Sequence, residues 1–171
     1  ELLGWFERIP FEKVVAAEHV RDEDVLRLLD YSAFFDLLRR TLPESRTGIL
    51  SALAGDNLIN RCAAGGWSIL NLGALLFAKR LTDFPALQRK AVRVVEYEGT
   101  NRISTLREQE GARGYAAGFE GLVAYINSLL PSNEVVGQAL RQTVAMFPEP
   151  AVRELVANML IHQDLDRKSV G

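Results

Sequence analysis

The sequence predicts an α+β fold. A helical, winged-helix-like N-terminal part with a small hairpin is followed by a mixed α/β part in which a long helix packs on a few strands. Three observations carry this reading. Two helical patterns precede a pair of short β-rich runs that flank Gly65-Gly66. The run AVRVVEY at 91–97 alternates and is rich in β-branched residues. The closing segment PEPAVRELVANMLIHQD repeats apolar residues at i, i+3, i+4, i+7. The change of pattern after Asp83 divides the chain into residues 1–83, a connector, and residues 84–171.

Residues 1–20 read as an approach segment with Trp5, Phe6 and Phe11 as anchors. Arg21-Asp-Glu-Asp24 opens a helix through Val25, Leu28 and Leu29, its acids facing the positive helix start. Residues 31–41 form a second helix, closed by Arg39-Arg40 and stopped by Pro43. Ser45 or Thr47 caps a short helix at 49–54, with Gly55 as its C-terminal cap. Residues 58–62 and 67–70 read as a hairpin turning at Gly65-Gly66. Asn71 caps an almost wholly apolar helix at 72–80.

Residues 91–97 form a strand turned by Gly99-Thr-Asn101. Residues 108–130 read as one long helix ended by Pro131-Ser-Asn133. Its Gly111, Gly114, Ala116, Ala117, Gly118 and Gly121 suit close packing on a neighbour. Residues 138–146 form a strand, and Pro148 and Pro150 fit the first turn of the last helix.

Bulk properties narrow the function classes. The chain has 171 residues, 48% of them hydrophobic, which suffices for a buried core. A net charge of −2 gives no general pull toward nucleic acid. The charge is uneven: residues 1–36 hold nine acids against four bases, and residues 79–113 hold eight bases against five acids. The single Cys62 excludes a disulfide framework within the chain. No apolar run reaches the roughly 18 residues of a membrane span, so no membrane partner is expected. A reducing, cytoplasmic setting fits. The chain lacks an initiator Met, and it is expected to be a piece of a longer protein.

The last helix carries the chemistry. Glu154, Asn158 and His162 are four residues apart, so each step turns the side chain by only ~40°. They form one slanted polar stripe. Beside it, Val152, Leu155, Val156, Met159 and Leu160 form an expected apolar flank. Alternatively, Glu154 pairs with Arg153 on a surface, and His162 complements the helix dipole. GARGYAAG lacks the Lys-Ser/Thr of a phosphate loop and follows no expected strand. No Ser or Cys sits in an activating motif.

A family resemblance runs through WSILNLGALLFAK at 67–79, Phe84-Pro85, RVVEYEGTNR at 93–102 and FPEPAVRELVANMLIHQD at 147–164. These segments resemble the bacterial and archaeal RecG-like, or divergent AAA, transcriptional regulators. Such proteins carry a Schlafen AlbA-type domain, a connector and a histidine-kinase-like (GHKL) ATPase region. The chain is similar to the connector plus the first ATPase helix, over residues 5–166. The resemblance implies a role for Glu154 in activating water, and for Asn158 as a ligand of the Mg²⁺ that bridges the phosphates of ATP. His162 and Asp164 match a His-x-Asp after that box, with no role assigned. Gln163 and Leu165 stand where the family commonly has Arg and Tyr.

The Asp-x-Gly-x-Gly box and the Gly-rich lid of that ATPase class do not occur by Gly171. ATP and magnesium are therefore expected of the parent protein and not of this piece, which is not expected to act as an enzyme by itself. Its expected partners are further domains of the same chain. Two alternatives stand beside this reading: a DNA-binding winged-helix module on residues 31–70, and a structural module that docks or forms a homodimer.

Overall fold

Trp67, Ile69 and Leu70 are bulky apolar residues in a four-residue run, and burying them on one short strand organises the first half of the molecule. In the computed structural model, which describes residues 9–99, 104–136 and 141–163, this run is strand β3 (Trp67–Leu70). It pairs antiparallel with β2 (Ile59–Arg61), joining Ile59 to Ile69 and Arg61 to Trp67. The expected hairpin is therefore present. Gly65 and Gly66 turn it at φ +93° and +75°, values that favour glycine.

A third strand, β1 (Val15–Val20), pairs antiparallel with the other edge of β3, so the sheet order is β1-β3-β2. This corrects the reading of residues 15–20 as an approach segment. Two register irregularities interrupt β1, His19 has φ +54°, and only Val20 is buried. No clean alternation marks it in the sequence. Phe11 lies in a 3-10 turn, Phe11–Lys13. Trp5 and Phe6 lie outside the described residues.

Helix α1 (Asp22–Leu28) begins at its acids as expected. Helix α2 (Tyr31–Leu37) is capped by Asp30, whose carboxylate accepts the Ala33 N–H at 3.1 Å. It ends before Thr41, and Pro43 is not its stop. Arg39 adopts φ +53°; its N–H donates to Asp36, and the Arg40 N–H donates to Phe35. This is a Schellman ending built on arginine in place of glycine.

Helix α3 (Arg46–Gly55) is capped by Ser45, whose Oγ accepts the Gly48 N–H at 3.1 Å. Gly55 is its last residue and not its cap. Asn57 takes φ +57°, with Asn57 N–H donating to Ala54 and Leu58 N–H to Leu53. Asparagine tolerates this conformation better than most residues.

Helix α4 (Asn71–Phe77) follows β3 directly, and Asn71 is its first residue, not its cap. Asn71 is 3% exposed. Its Nδ2 donates to the Phe11 carbonyl at 3.0 Å, and its backbone N–H donates to Val14 at 2.8 Å. The helix stops at Phe77 because the next residues are drawn elsewhere. Ala78 bridges Leu29, Lys79 N–H donates to Leu28, and Lys79 Nζ reaches the Leu26 carbonyl at 3.0 Å. A lysine at the carbonyl end of α1 also complements its dipole.

Strand β4 (Arg93–Tyr97) is as expected, and Gly99 turns after it at φ +68°. Thr100 and Asn101 lie outside the described residues. β4 pairs antiparallel with β5 (Thr105–Glu110). Residues 108–110 are thus strand and not the start of a helix. Opposite charges across the ribbon support this polar strand: Arg93 lies 3.1 Å from Glu108, and Arg107 pairs with Glu96 in register. Helix α5 (Tyr115–Leu129) starts only after Gly111 and Gly114.

Strands β6 (Ser132–Val136) and β7 (Arg141–Ala145) form a second antiparallel ribbon. The strand expected at 138–146 is β7; its partner, residues 132–136, begins within Pro131-Ser-Asn133, which was read as a break. Helix α6 (Glu149–Ile161) closes the described chain.

The fold is α+β. It packs as two compact units, one reaching Gly118 and the other starting at Phe119, within α5. The first unit buries Val25, Leu29, Phe34, Leu53, Ile59, Ile69 and Leu81 almost completely. Phe34 meets Phe77 edge-on, with ring centroids 5.5 Å apart. The second unit centres on Val123, Val152 and Val156, with Phe119, Leu122, Ile126 and Leu160 packed around them. No helix among the described residues is long and apolar enough to cross a membrane.

The small residues before and within α5 differ in their surroundings. A Cβ on Gly114 would meet the main chain of Leu76 at 2.6 Å, whereas one on Gly121 would meet nothing within 4 Å. Gly73 on α4 is as tight: its Cβ would lie 2.4 Å from the Leu58 carbonyl oxygen. Helix propensity alone favours alanine at Gly73 by about 1 kcal/mol. The clash is with main chain that cannot rotate away, so it wins. Gly73→Ala is expected to destabilise the protein by about 1–3 kcal/mol in urea titration. Gly55→Ala, where a Cβ meets open space, is expected to stabilise it by up to about 1 kcal/mol.

Candidate functional site

Helix α6 displays the polar stripe. Pro148 sits at its N-cap with extended backbone, and Pro150 follows within the first turn, where its missing N–H breaks no bond. Val152 and Val156 are buried in the second unit, and Leu160 is half-buried. The expected apolar flank is narrower than this spacing suggested. Leu155 is 72% and Met159 53% exposed. Steps of about 40° carry residues 152, 156 and 160 across the covered face, while 155 and 159 fall on its far side.

Glu154, Asn158 and His162 all lie on the exposed side of α6. His162 is the C-cap, and its backbone N–H donates to the Asn158 carbonyl at 3.0 Å. None of the three side chains has a protein partner among the described residues. Asp164 lies outside the described residues. The structure thus places three of the four expected site residues in one solvent-facing row, with Leu155 and Met159 beside it. Among the described residues, no group of three or more His, Cys, Asp or Glu side chains stands close enough to hold a metal ion.

Arg153 does not pair with Glu154. Its guanidinium forms two hydrogen bonds of 2.6 Å to the Glu120 carboxylate and lies 5.3 Å from the centre of the Phe119 ring. This fork joins α5 to α6 inside the second unit. The single-residue spacing from Glu154 hides it in the sequence, because the partner lies 33 positions earlier.

A second polar site lies largely within residues 31–70, the stretch read alternatively as a DNA-binding module, where no site residue was singled out. The exposed face of α3, the hairpin and the start of α1 border a cleft of about 370 Å³ lined by Asp22, Thr47, Leu50, Ser51, Ala54, Asn60, Arg61 and Trp67. The Trp67 indole is 4% exposed, and its Nε1 donates to Asp22 at 2.8 Å. The Arg61 guanidinium stacks over that ring at 4.3 Å. The sequence signal was present, since Arg61 and Trp67 are paired across the hairpin. What it lacked was the third wall from α3.

No family model, no curated protein and no solved structure matches this chain.

The hydrogen bonds from Arg153, with the charge of its guanidinium adding to them, hold the Glu120 carboxyl below its ordinary value of 4.5. Because the folded-state value is depressed, the stabilisation is present above pH 4.5 and is lost as pH falls through the folded value. An NMR titration is expected to place the Glu120 midpoint below 4.5, and Arg153→Met to return it toward 4.5. A wild-type midpoint at 4.5 means that the fork is open in solution.

Proposed function

We propose that this chain is the connector and first ATPase helix of an ATP-binding transcriptional regulator, and that it supplies one wall of a nucleotide site. The observation that carries the reading is the exposed row Glu154, Asn158, His162 with Leu155 and Met159 uncovered beside it. An apolar pair next to unpartnered polar groups suits a surface that another part of the protein covers. The resemblance of residues 147–164 to the first box of the GHKL ATPases supports the same reading.

The donor chemistry is compatible with magnesium. A carboxylate and a carboxamide one turn apart are hard oxygen donors, and magnesium takes few such ligands from protein because it keeps its waters and the phosphates. When bound, Mg²⁺-ATP supplies the phosphoryl group and the charge that positions it. Glu154 would hold and polarise a water, and Asn158 would face the ion. One helix is not enough for this, since phosphate binding needs several converging donors. His162 is assigned no step. The single free Cys62, half-buried with Sγ 3.1 Å from Ser68 Oγ, suits a reducing, cytoplasmic setting.

Calorimetry is expected to show no ATP binding to the 171-residue chain; micromolar binding would count against the division of labour proposed. In the full-length protein, Glu154→Ala is expected to lower ATP turnover about a hundredfold or more. Unchanged turnover would return Glu154 and Asn158 to ordinary surface positions.

A further inference from the structure

The cleft between α3 and the hairpin is chemically prepared in a way that folding alone does not require. Thr47 and Ser51 lie one turn apart on the exposed face of α3, so both hydroxyls are on the same side. Asn60 and Arg61 close the opposite wall. Among the described residues, the side chains of Thr47, Ser51 and Asn60 have no protein hydrogen-bond partner, and Arg61 has no carboxylate partner. Its contact is the Trp67 ring, which fixes the guanidinium plane without using its N–H groups.

The cleft lining carries one charge of each sign, Arg61 and Asp22, and the two differ in how they are engaged. Asp22 is the one carboxylate in its lining, and one of its oxygens already accepts the Trp67 N–H. The neighbouring acids of α1 are paired: Glu23 with Arg21 at 2.9 Å, and Asp24 with Arg21 and Arg27. Glu44 precedes the Ser45 cap and does not line the cleft. Arg46 likewise does not line the cleft, so Arg61 is its one cation. One cation on an aromatic plate, two hydroxyls and a carboxamide are the donor types that grip a phosphodiester. A helix flanked by a hairpin presents them to a backbone running along the surface.

We propose that this cleft binds a phosphate of a nucleic-acid backbone, with Arg61 as the charged contact and Thr47, Ser51 and Asn60 as its hydrogen-bonding partners. The inference rests on the first unit alone and stands or falls separately from the nucleotide reading of α6.

The test uses the 171-residue chain with Trp5→Phe, which leaves Trp67 as the only indole. A labelled random-sequence duplex is followed by anisotropy and by Trp67 emission, across a salt series. Binding that weakens with salt and changes Trp67 emission is expected. Ser51→Asp places a carboxylate at an exposed helix position without touching the core. It is expected to weaken binding at least about tenfold. Arg61→Gln is expected to weaken it by a similar factor and to reduce the salt slope by about one.

Absence of duplex binding overturns the proposal. So does binding that leaves Trp67 emission unchanged, or binding unaffected by Ser51→Asp. Inorganic phosphate is the comparison probe. If it matches the duplex in affinity and in Trp67 response, the cleft is a small-anion site and the nucleic-acid assignment is wrong.

Discussion

The first unit depends on main chain meeting main chain around α4. Gly73 brings that helix against the Leu58 carbonyl, and Gly114 brings the segment before α5 against Leu76. Neither approach leaves room for a methyl group. Between them, the ends of α4 are tied by hydrogen bonds that bypass the helix itself. Asn71 holds Phe11 and Val14, and the Phe77 carbonyl accepts the Asp30 N–H at 2.7 Å. Asp30 also caps α2 and pairs with Arg113. The apolar core fills the space, and these backbone contacts define how wide that space is.

That arrangement explains which elements were legible in the sequence. Elements with a sharp local signal were found: the acids opening α1, the Ser45 cap, the Gly65-Gly66 turn, β4, and the prolines opening α6. Errors arose where a long-range partner decided the outcome, or where a helix ended locally on a left-handed residue other than glycine. Residues 105–110 have a polar composition that a helix accepts as readily as a strand, and pairing with β4 selects the strand. The endings of α2 and α3 use Arg39 and Asn57 in the left-handed region, where sequence reading looks first for glycine or proline. Asn71 looks like a cap by type but is buried and spent on a turn sixty positions away.

The candidate site follows the same division. The periodicity of α6 placed Glu154, Asn158 and His162 on one side, because helix geometry is local. It could not say which of the adjacent apolar residues meet α5. The covered sector is narrow because the second unit is small and has one helix to offer as a partner. Leu155 and Met159 are thereby left in contact with water. The cleft around Trp67 was harder still, for it combines residues from four elements, α1, α3, β2 and β3.

Among the described residues, no further strand pairs with the outer edges of β1 and β2, and neither edge offers a long, flat row of backbone groups. β2 is only three residues long. β1 is interrupted twice in register and bent by His19 at φ +54°. An incoming extended segment could match only a residue or two before its donors and acceptors fell out of step. The irregularities that obscure β1 in the sequence therefore act as an insulator. They let the protein keep an open three-stranded sheet without inviting another chain to extend it into a fibril.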